Sequence, residues 1–207
     1  MTMICRLVHK LIKIVTYFQE SLVTFTLSKV DRRIVKSQEA IKKALIELMS
    51  EKNFDQITIQ DISDRANVGR RTIYDHYIDK FDLLEKLIEE HINNLRKLCE
   101  TTSELDFVEG NLIWFEYFER NYSFFSTMLT SKGAPSFRRH FLEFVIEELE
   151  DEVDVTKGKN KGLSKDLILR FFGAAIVEIV ETWIINGLSE SRQVIAEQVG
   201  ILLDRNL

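Results

Sequence analysis

The chain has 207 residues, of which 45% are hydrophobic and 29% are charged, proportions that are ordinary for a soluble globular protein. One proline and eight glycines provide few signals for strands and hairpins, whereas runs of Leu, Ile, Lys and Glu favour helices. Two cysteines without a CxxC pair argue against a disulfide framework and are typical of a reducing compartment such as the cytoplasm.

The net charge of −5 is distributed unevenly along the chain. Residues 1–30 contain four basic residues and one acidic residue, and residues 31–97 contain 13 of each kind. Residues 98–207 contain 11 basic and 19 acidic residues. The acidic excess therefore lies in the C-terminal part, and the net charge does not exclude a locally basic face nearer the N terminus.

The first thirty residues have apolar residues at helical spacing, interrupted by Arg6, Lys10 and Lys13. These charges argue against a membrane-spanning segment, and no small-residue cleavage site follows. Three interpretations stay open: an additional amphipathic helix, a segment at a membrane surface, or upstream sequence included by an early start codon. We expect residues 1–30 to be an extension outside the functional domains.

Residues 31–97 have the pattern of a three-helix domain. After a first helix of about five turns, Thr58 followed three residues later by Asp61 predicts a capping box at the start of the second helix. That helix ends at Asn67-Val68-Gly69, and a short helix follows from Arg70 to about Tyr77. Asp79 is a candidate cap for the next, longer helix.

Two short helices joined by a three-residue turn containing Gly indicate a helix-turn-helix unit, which here spans Thr58 to Tyr77. In such units the second helix enters the major groove of DNA, and its N-terminal residues face the base edges. Guanidinium groups can bind phosphate or guanine, and hydroxyl or imidazole donors suit phosphate oxygens. The candidate DNA-binding residues on this argument are Arg70, Arg71, Thr72, Tyr74, His76, Tyr77 and Lys80.

Residues 98–207 consist of long, aromatic-rich helical patterns interrupted at Ser131–Pro135 and at the polar segment Thr156–Gly162. No run with strand periodicity is long enough to form a sheet. We therefore predict an all-α fold of about nine helices. It comprises a three-helix helix-turn-helix DNA-binding domain in residues 31–97 and a helical effector-binding and dimerisation bundle in residues 98–207.

The segments Phe54–Ile62, Ala66–Tyr77 and Asp79–Leu84 closely resemble the N-terminal domain of the TetR family of transcriptional regulators. This resemblance extends over about Asp31 to Glu100 and is specific in order and spacing. The C-terminal half resembles, less specifically, the ligand-binding and dimerisation domain of TetR-like proteins from Gram-positive bacteria. The resemblance implies a DNA-binding regulator.

The resemblance also implies roles for individual positions. Thr58 is expected to support a phosphate contact at the start of the second helix, and Ile73 is expected to be core. Gly69 departs from the family, which often has Ser there, although Gly is only a slightly poorer N-cap. Arg70, Arg71 and Thr72 are expected to face the groove, and Tyr74, His76 and Lys80 to hold the DNA backbone.

A single helix-turn-helix makes few contacts, so such proteins dimerise to bind two half-sites. The last two predicted helices are strongly apolar, and we expect part of their surface to form a homodimer interface, with intramolecular packing as the alternative. Gly173, Ala174 and Ala175 are expected to allow close approach. The candidate interface residues are Ile176, Val180, Trp183, Ile184, Val194, Ile195 and Val199.

A pocket inside a helical bundle is the default position for a small-molecule site. The aromatic residues of the C-terminal half are candidates for its wall, with plain core as the alternative. Because few buried charges are implied, we expect an apolar or uncharged effector. The candidate pocket residues are Trp114, Phe115, Phe118, Phe125, Met128, Phe141 and Phe172.

Patterns typical of enzymes are missing from the sequence: none of the four histidines belongs to HExxH, and TKGKNKG lacks the order of a P-loop. We expect no enzymatic activity, no cofactor, no metal site and no membrane partner. We predict a cytoplasmic homodimer that binds a palindromic double-stranded DNA operator as a repressor and is released by a small-molecule effector. The alternative is a co-regulator of the same fold that acts mainly through protein or ligand contacts.

Overall fold

A computed structural model of the chain describes residues 32–102, 105–130 and 135–207. All regular elements in these ranges are helices, and nine of them are α-helices, which confirms the predicted all-α fold. Short 3₁₀-helices lie at Phe54–Gln56 and Gly158–Asn160. The α-helices are α1 (Arg32–Glu51), α2 (Ile59–Ala66), α3 (Arg70–Tyr74), α4 (Lys80–Thr102), α5 (Phe107–Arg120), α6 (Tyr122–Thr130), α7 (Pro135–Leu149), α8 (Lys165–Ile185) and α9 (Arg192–Asn206).

The chain divides into two compact units, residues 1–40 and residues 41–207. In the first unit the structure describes the beginning of α1, where Ser37 Oγ donates a hydrogen bond to the carbonyl of Arg33 at 2.7 Å. The predicted extension, residues 1–30, lies outside the described residues. In the second unit the domain boundary predicted between residues 97 and 98 falls within α4, which is continuous from Lys80 to Thr102.

A small apolar core lies among the elements of residues 41–83. Its members come from α1, α2, α3, the start of α4 and the connection before α2, and each is at most 1% exposed. The predicted core position of Ile73 is confirmed. Burial of these side chains stabilises α2 and α3, two helices that are too short to be stable on their own. The members are Ile41, Leu45, Ile57, Ile62, Ile73 and Leu83.

The hydrophobic core continues into the C-terminal half, where it consists largely of phenylalanine rings. Phe118 lies edge-to-face against Phe125, with ring centroids 4.9 Å apart, and against Phe141 at 5.7 Å. His91 of α4 joins this cluster: it stacks on Phe124 at 3.7 Å, and its Nδ1 lies 2.8 Å from the hydroxyl of Tyr117. These contacts attach α4 to α5 and α6.

Two glycines permit close packing between helices of the C-terminal half. A Cβ on Gly200 would lie 2.7 Å from Cα of Val108, so α9 packs directly against the backbone of α5. A Cβ on Gly173 would lie 3.0 Å from Ile146, where α8 packs against α7. Within the described ranges, no helix combines the length and the apolar content that a membrane crossing would require.

Candidate nucleic-acid interface

The capping box predicted at the start of α2 is present. Thr58 Oγ1 accepts a hydrogen bond from the backbone N–H of Asp61 at 3.1 Å, and the Asp61 carboxylate accepts one from the backbone N–H of Thr58 at 2.8 Å. The Asp61 carboxylate also lies 2.9 Å from the ammonium of Lys52. Hydrogen bonds from Lys52 and Thr58 lower the pKa of Asp61 to about 2. The start of α2 is therefore defined by side chains within the domain.

The turn between α2 and α3 begins at Asn67, as predicted, and is closed by Ser63, which the sequence did not single out. Asn67 has the left-handed conformation, with φ of 52°, and the buried Ser63 donates a hydrogen bond from Oγ to the carbonyl of Val68 at 2.6 Å. Gly69 has φ of −68°, and a Cβ there would meet only Thr72 Oγ1, at 3.9 Å. A serine would therefore fit at Gly69, so neither strain nor crowding explains the glycine.

Helix α3 presents several predicted DNA-binding side chains to solvent. Arg70 and Arg71 are exposed, and Tyr74 is 56% exposed. Thr72 and His76 are half-buried. Within the described part of the chain, neither arginine forms an ion pair, so both guanidinium groups can reach an external phosphate or base. Arg71 lies two residues before the buried Ile73 and therefore on the opposite side of α3, whereas Arg70 lies three residues before Ile73 and nearer to its side.

Tyr77 and Lys80 have intramolecular environments that the sequence analysis did not foresee. The ring of Tyr77 is buried, with the ammonium of Lys86 5.4 Å from its centroid. The Lys80 ammonium donates hydrogen bonds of 2.9 Å to the carbonyl oxygens of three residues before α2, namely Phe54, Asp55 and Ile57. An ammonium has three N–H donors. Lys80 therefore stabilises the domain internally, and a phosphate contact through its ammonium would require these bonds to open.

The structure corrects the candidate dimer face, because most of the residues selected for it are intramolecular core. Ile176, Val180, Trp183, Ile184 and Val199 are at most 7% exposed. Of the seven, only Val194 is exposed, and Ile195 is half-buried. Apolar side chains also occupy another side of α8 and α9, and these are exposed: Leu167, Phe171, Ile185, Val194 and Leu202. We call this set the exposed apolar face.

Gly173 likewise faces α7 within the same chain, whereas Ala174 and Ala175 are exposed. The sequence showed that α8 is apolar but not which side packs inside, since an apolar residue occurs on nearly every side of this helix. The helices that α8 packs against, chiefly α7 and α6, decide its orientation, and a single sequence does not contain that information.

The structure also corrects the candidate ligand pocket. Five of the selected residues, Phe115, Phe118, Phe125, Met128 and Phe141, are at most 2% exposed and belong to the packed core. Phe172 is half-buried. A cavity of about 160 Å³ lies elsewhere, between the end of α4 and helices α5, α7, α8 and α9, and of the seven selected residues only Trp114 lines it. Interlocked rings fill the space that they were expected to surround.

The wall of this cavity has an apolar part and an acidic part. The charged side chains that the structure describes along it are all carboxylates: Asp106, Glu148 and Glu152. The apolar part includes Leu105, Phe107, Trp114, Val145, Leu149, Ile176 and Leu203. We call the whole cavity the α5–α9 cavity.

Cys99, which also lines the α5–α9 cavity, is held between two neighbours. Its sulfur accepts a hydrogen bond from Trp114 Nε1 at 3.1 Å. Burial, and then the charge of Glu148, raise the pKa of the Cys99 thiol, which therefore stays protonated and bonds to the Glu148 carboxylate. The indole and the carboxylate are thus linked through the thiol.

Two family descriptions match the chain. Residues 41–87, which contain the helix-turn-helix, match the bacterial regulatory proteins of the TetR family. Residues 108–205 match a transcriptional regulator C-terminal region that is named as a TetR-type domain. The chain belongs to the TetR family of transcriptional regulators. It is thus a DNA-binding regulator and not an enzyme.

Individual relatives agree with this membership. The chain is 42% identical over 62 residues to the HTH-type transcriptional regulator YxbF of Bacillus subtilis, a match covering 30% of this chain and 16% of YxbF. It is 27% identical over 165 residues to DhaS of Lactococcus lactis, the transcriptional activator of the dhaKLM operon, covering 76% of this chain and 84% of DhaS. A TetR regulator from Streptococcus agalactiae has a similar structure, with a TM-score of 0.65, 25% identity and coverage of 84% and 96% of the two chains.

Proposed function

We propose that this TetR-family regulator is a cytoplasmic homodimer that binds a palindromic operator through α3 of each subunit and responds to a small molecule. The observation that supports this most directly is the pair of exposed guanidinium groups of Arg70 and Arg71 on α3, beside the exposed hydroxyl of Tyr74. In helix-turn-helix proteins these positions meet the major groove and the adjoining phosphates.

The exposed apolar face is the proposed dimer interface. On α8, Leu167, Phe171, Ala174 and Glu178 are all exposed and succeed one another at intervals of three or four residues, so they form one stripe along the helix. Val194 and Leu202 of α9 are separated by two helical turns and lie on one side of that helix. A stripe with large apolar residues on a soluble protein indicates an interaction surface, and a second copy offers the same face in return.

Sedimentation equilibrium tests this dimer. The wild-type chain should have about twice the subunit mass of 24.3 kDa. Phe171→Glu should give monomers, because each subunit would bury an unpaired carboxylate in the proposed interface. Ile78→Glu changes an apolar residue elsewhere, one that is 80% exposed, and should leave the dimer intact. A dimeric Phe171→Glu protein would contradict the proposed interface.

Repression relieved by an effector is the first candidate for the direction of control, since a dimer bound at a promoter excludes RNA polymerase. Activation is the second candidate, and the name of the relative DhaS favours it. A reporter fused to the DNA beside the chain's own gene separates the two. Repression predicts higher expression when the gene is deleted, and activation predicts lower expression.

Gel-shift measurements on the same DNA test operator binding itself. The purified chain should bind in a manner that weakens as salt is raised, because released counterions contribute to the affinity. If the pure protein ignores this DNA at low salt, the co-regulator alternative, in which the main partner is another protein, is supported instead.

A further inference from the structure

The α5–α9 cavity has the size of a single small molecule. Its volume is about 160 Å³, and a protein cavity of about 150 Å³ is known to hold one benzene ring. Trp114, Val145 and Leu149 form much of its apolar wall. The indole of Trp114 also stacks on the ring of Phe144, with centroids 5.3 Å apart, and this contact fixes the orientation of the indole. The cavity therefore offers an aromatic surface that is already in place before a ligand enters.

Among the residues that the structure describes, the charged side chains lining the cavity are all acidic. Glu148 is half-buried, and Asp106 and Glu152 are exposed near the opening. Asp106 Oδ1 accepts a hydrogen bond from the backbone N–H of Glu109, which fixes this carboxylate at the start of α5. Carboxylates around a partly enclosed, apolar space favour a cation and repel an anion, and the face of an indole adds to the attraction.

We propose that the α5–α9 cavity binds a small organic cation, with its ring or short alkyl part against Trp114 and its ammonium group beside Glu148 and Glu152. The inference rests on the proposed function only in making this cation the effector, and binding can be measured without DNA. This proposed cation takes the place of the apolar or uncharged effector expected from the sequence. The sequence alone does not show that three carboxylates meet at one cavity.

Isothermal titration of the full chain with three probes of equal size tests the proposal. Benzylammonium carries a positive charge, benzyl alcohol is neutral and benzoate is negative. Benzylammonium should bind at least about ten-fold more tightly than benzyl alcohol, because its ammonium group lies beside carboxylates, and benzoate should bind least. Equal or tighter binding of benzyl alcohol or benzoate, or no binding of benzylammonium at millimolar concentration, would overturn the proposal.

Variants place the binding at this cavity. A side chain at Gly110 would meet open space, since nothing lies within 4 Å of a Cβ built there, so Gly110→Leu should fill the cavity and abolish binding while the helical circular dichroism is kept. Glu152→Gln should weaken benzylammonium binding and leave benzyl alcohol unaffected. Unchanged benzylammonium binding by Gly110→Leu would show that the cation binds elsewhere and overturn the assignment.

Operator binding is measured on the same samples, so that a failure of the cavity proposal can be distinguished from a failure of the proposed DNA binding. If the chain binds its operator but no cation, only the inference about the cavity is wrong. If it binds the cation but no DNA, the proposed operator binding fails while the cavity assignment stands.

Discussion

The ammonium of Lys80, at the first residue of α4, lies 2.9 Å from the carbonyl oxygen of Ile57, immediately before the capping residue of α2. The same ammonium is 4.9 Å from the centroid of the Phe54 ring and 5.3 Å from that of Phe81. One side chain therefore fastens the start of α4 to the segment that introduces the helix-turn-helix. This arrangement stabilises the position from which α3 meets DNA.

Lys80→Met should destabilise the chain because three carbonyl oxygens lose a charged donor. We expect the free energy of unfolding to fall by about 2 kcal/mol, the usual contribution of hydrogen bonds to a charged group. Urea unfolding followed by circular dichroism measures this change. Lys43→Met, which removes an ammonium from a side chain that is 79% exposed, is the matched control and should change stability little.

The salt dependence of DNA binding separates this role from a direct phosphate contact. Loss of one phosphate contact lowers the slope of log affinity against log salt by about 1. If Lys80→Met unfolds like the wild type but shows that smaller slope, Lys80 acts on phosphate and the internal role is wrong.

The parts of the fold that follow from local sequence could be predicted. Thr58 and Asp61 define a helix start by their spacing alone, and the resemblance to the TetR family implied the buried position of Ile73. The orientation of α8 could not be predicted, because Trp183 is buried and Phe171 is 67% exposed for reasons that lie on other helices. The position of the cavity depends on five helix segments meeting, which no single segment encodes.

Two glycines of the C-terminal half should respond in opposite ways to alanine. Gly200→Ala places a Cβ 2.7 Å from Cα of Val108, and we expect a loss of about 1–3 kcal/mol as α9 moves away from α5. Gly110→Ala meets open space within a helix and should gain up to about 1 kcal/mol from helix propensity. Urea midpoints measure both, and a neutral Gly200→Ala would contradict the close packing of α5 and α9.

His91 should make stability depend on pH in the acidic range. Burial, and then the charge of Lys42, lower its pKa in the folded chain from 6.5 to about 4. Between these values the unfolded chain binds a proton that the folded chain does not, so stability is complete above pH 6.5 and decreases as the pH falls towards 4. The loss amounts to at most about 3 kcal/mol, at about 1.4 kcal/mol per pKa unit.

His91→Phe tests this assignment, because a phenyl ring can still stack on Phe124 but does not titrate. Guanidinium unfolding at several pH values should give a shallower decline for the variant than for the wild type between pH 6.5 and 4. Parallel declines would show that other groups cause the acid sensitivity.

Binding to DNA through α3 is tested most directly by fluorescence anisotropy on labelled DNA from beside the chain's own gene, with wild type, Arg71→Ala and Arg120→Ala compared at increasing salt. Arg120 is an exposed arginine on α5, outside the helix-turn-helix, and serves as the control. We predict specific binding by the wild type and by Arg120→Ala, and a loss of about ten-fold or more for Arg71→Ala with unchanged circular dichroism. Equal binding by Arg71→Ala, or wild-type binding no tighter than to unrelated DNA, would contradict the assignment of α3 as the DNA-binding helix.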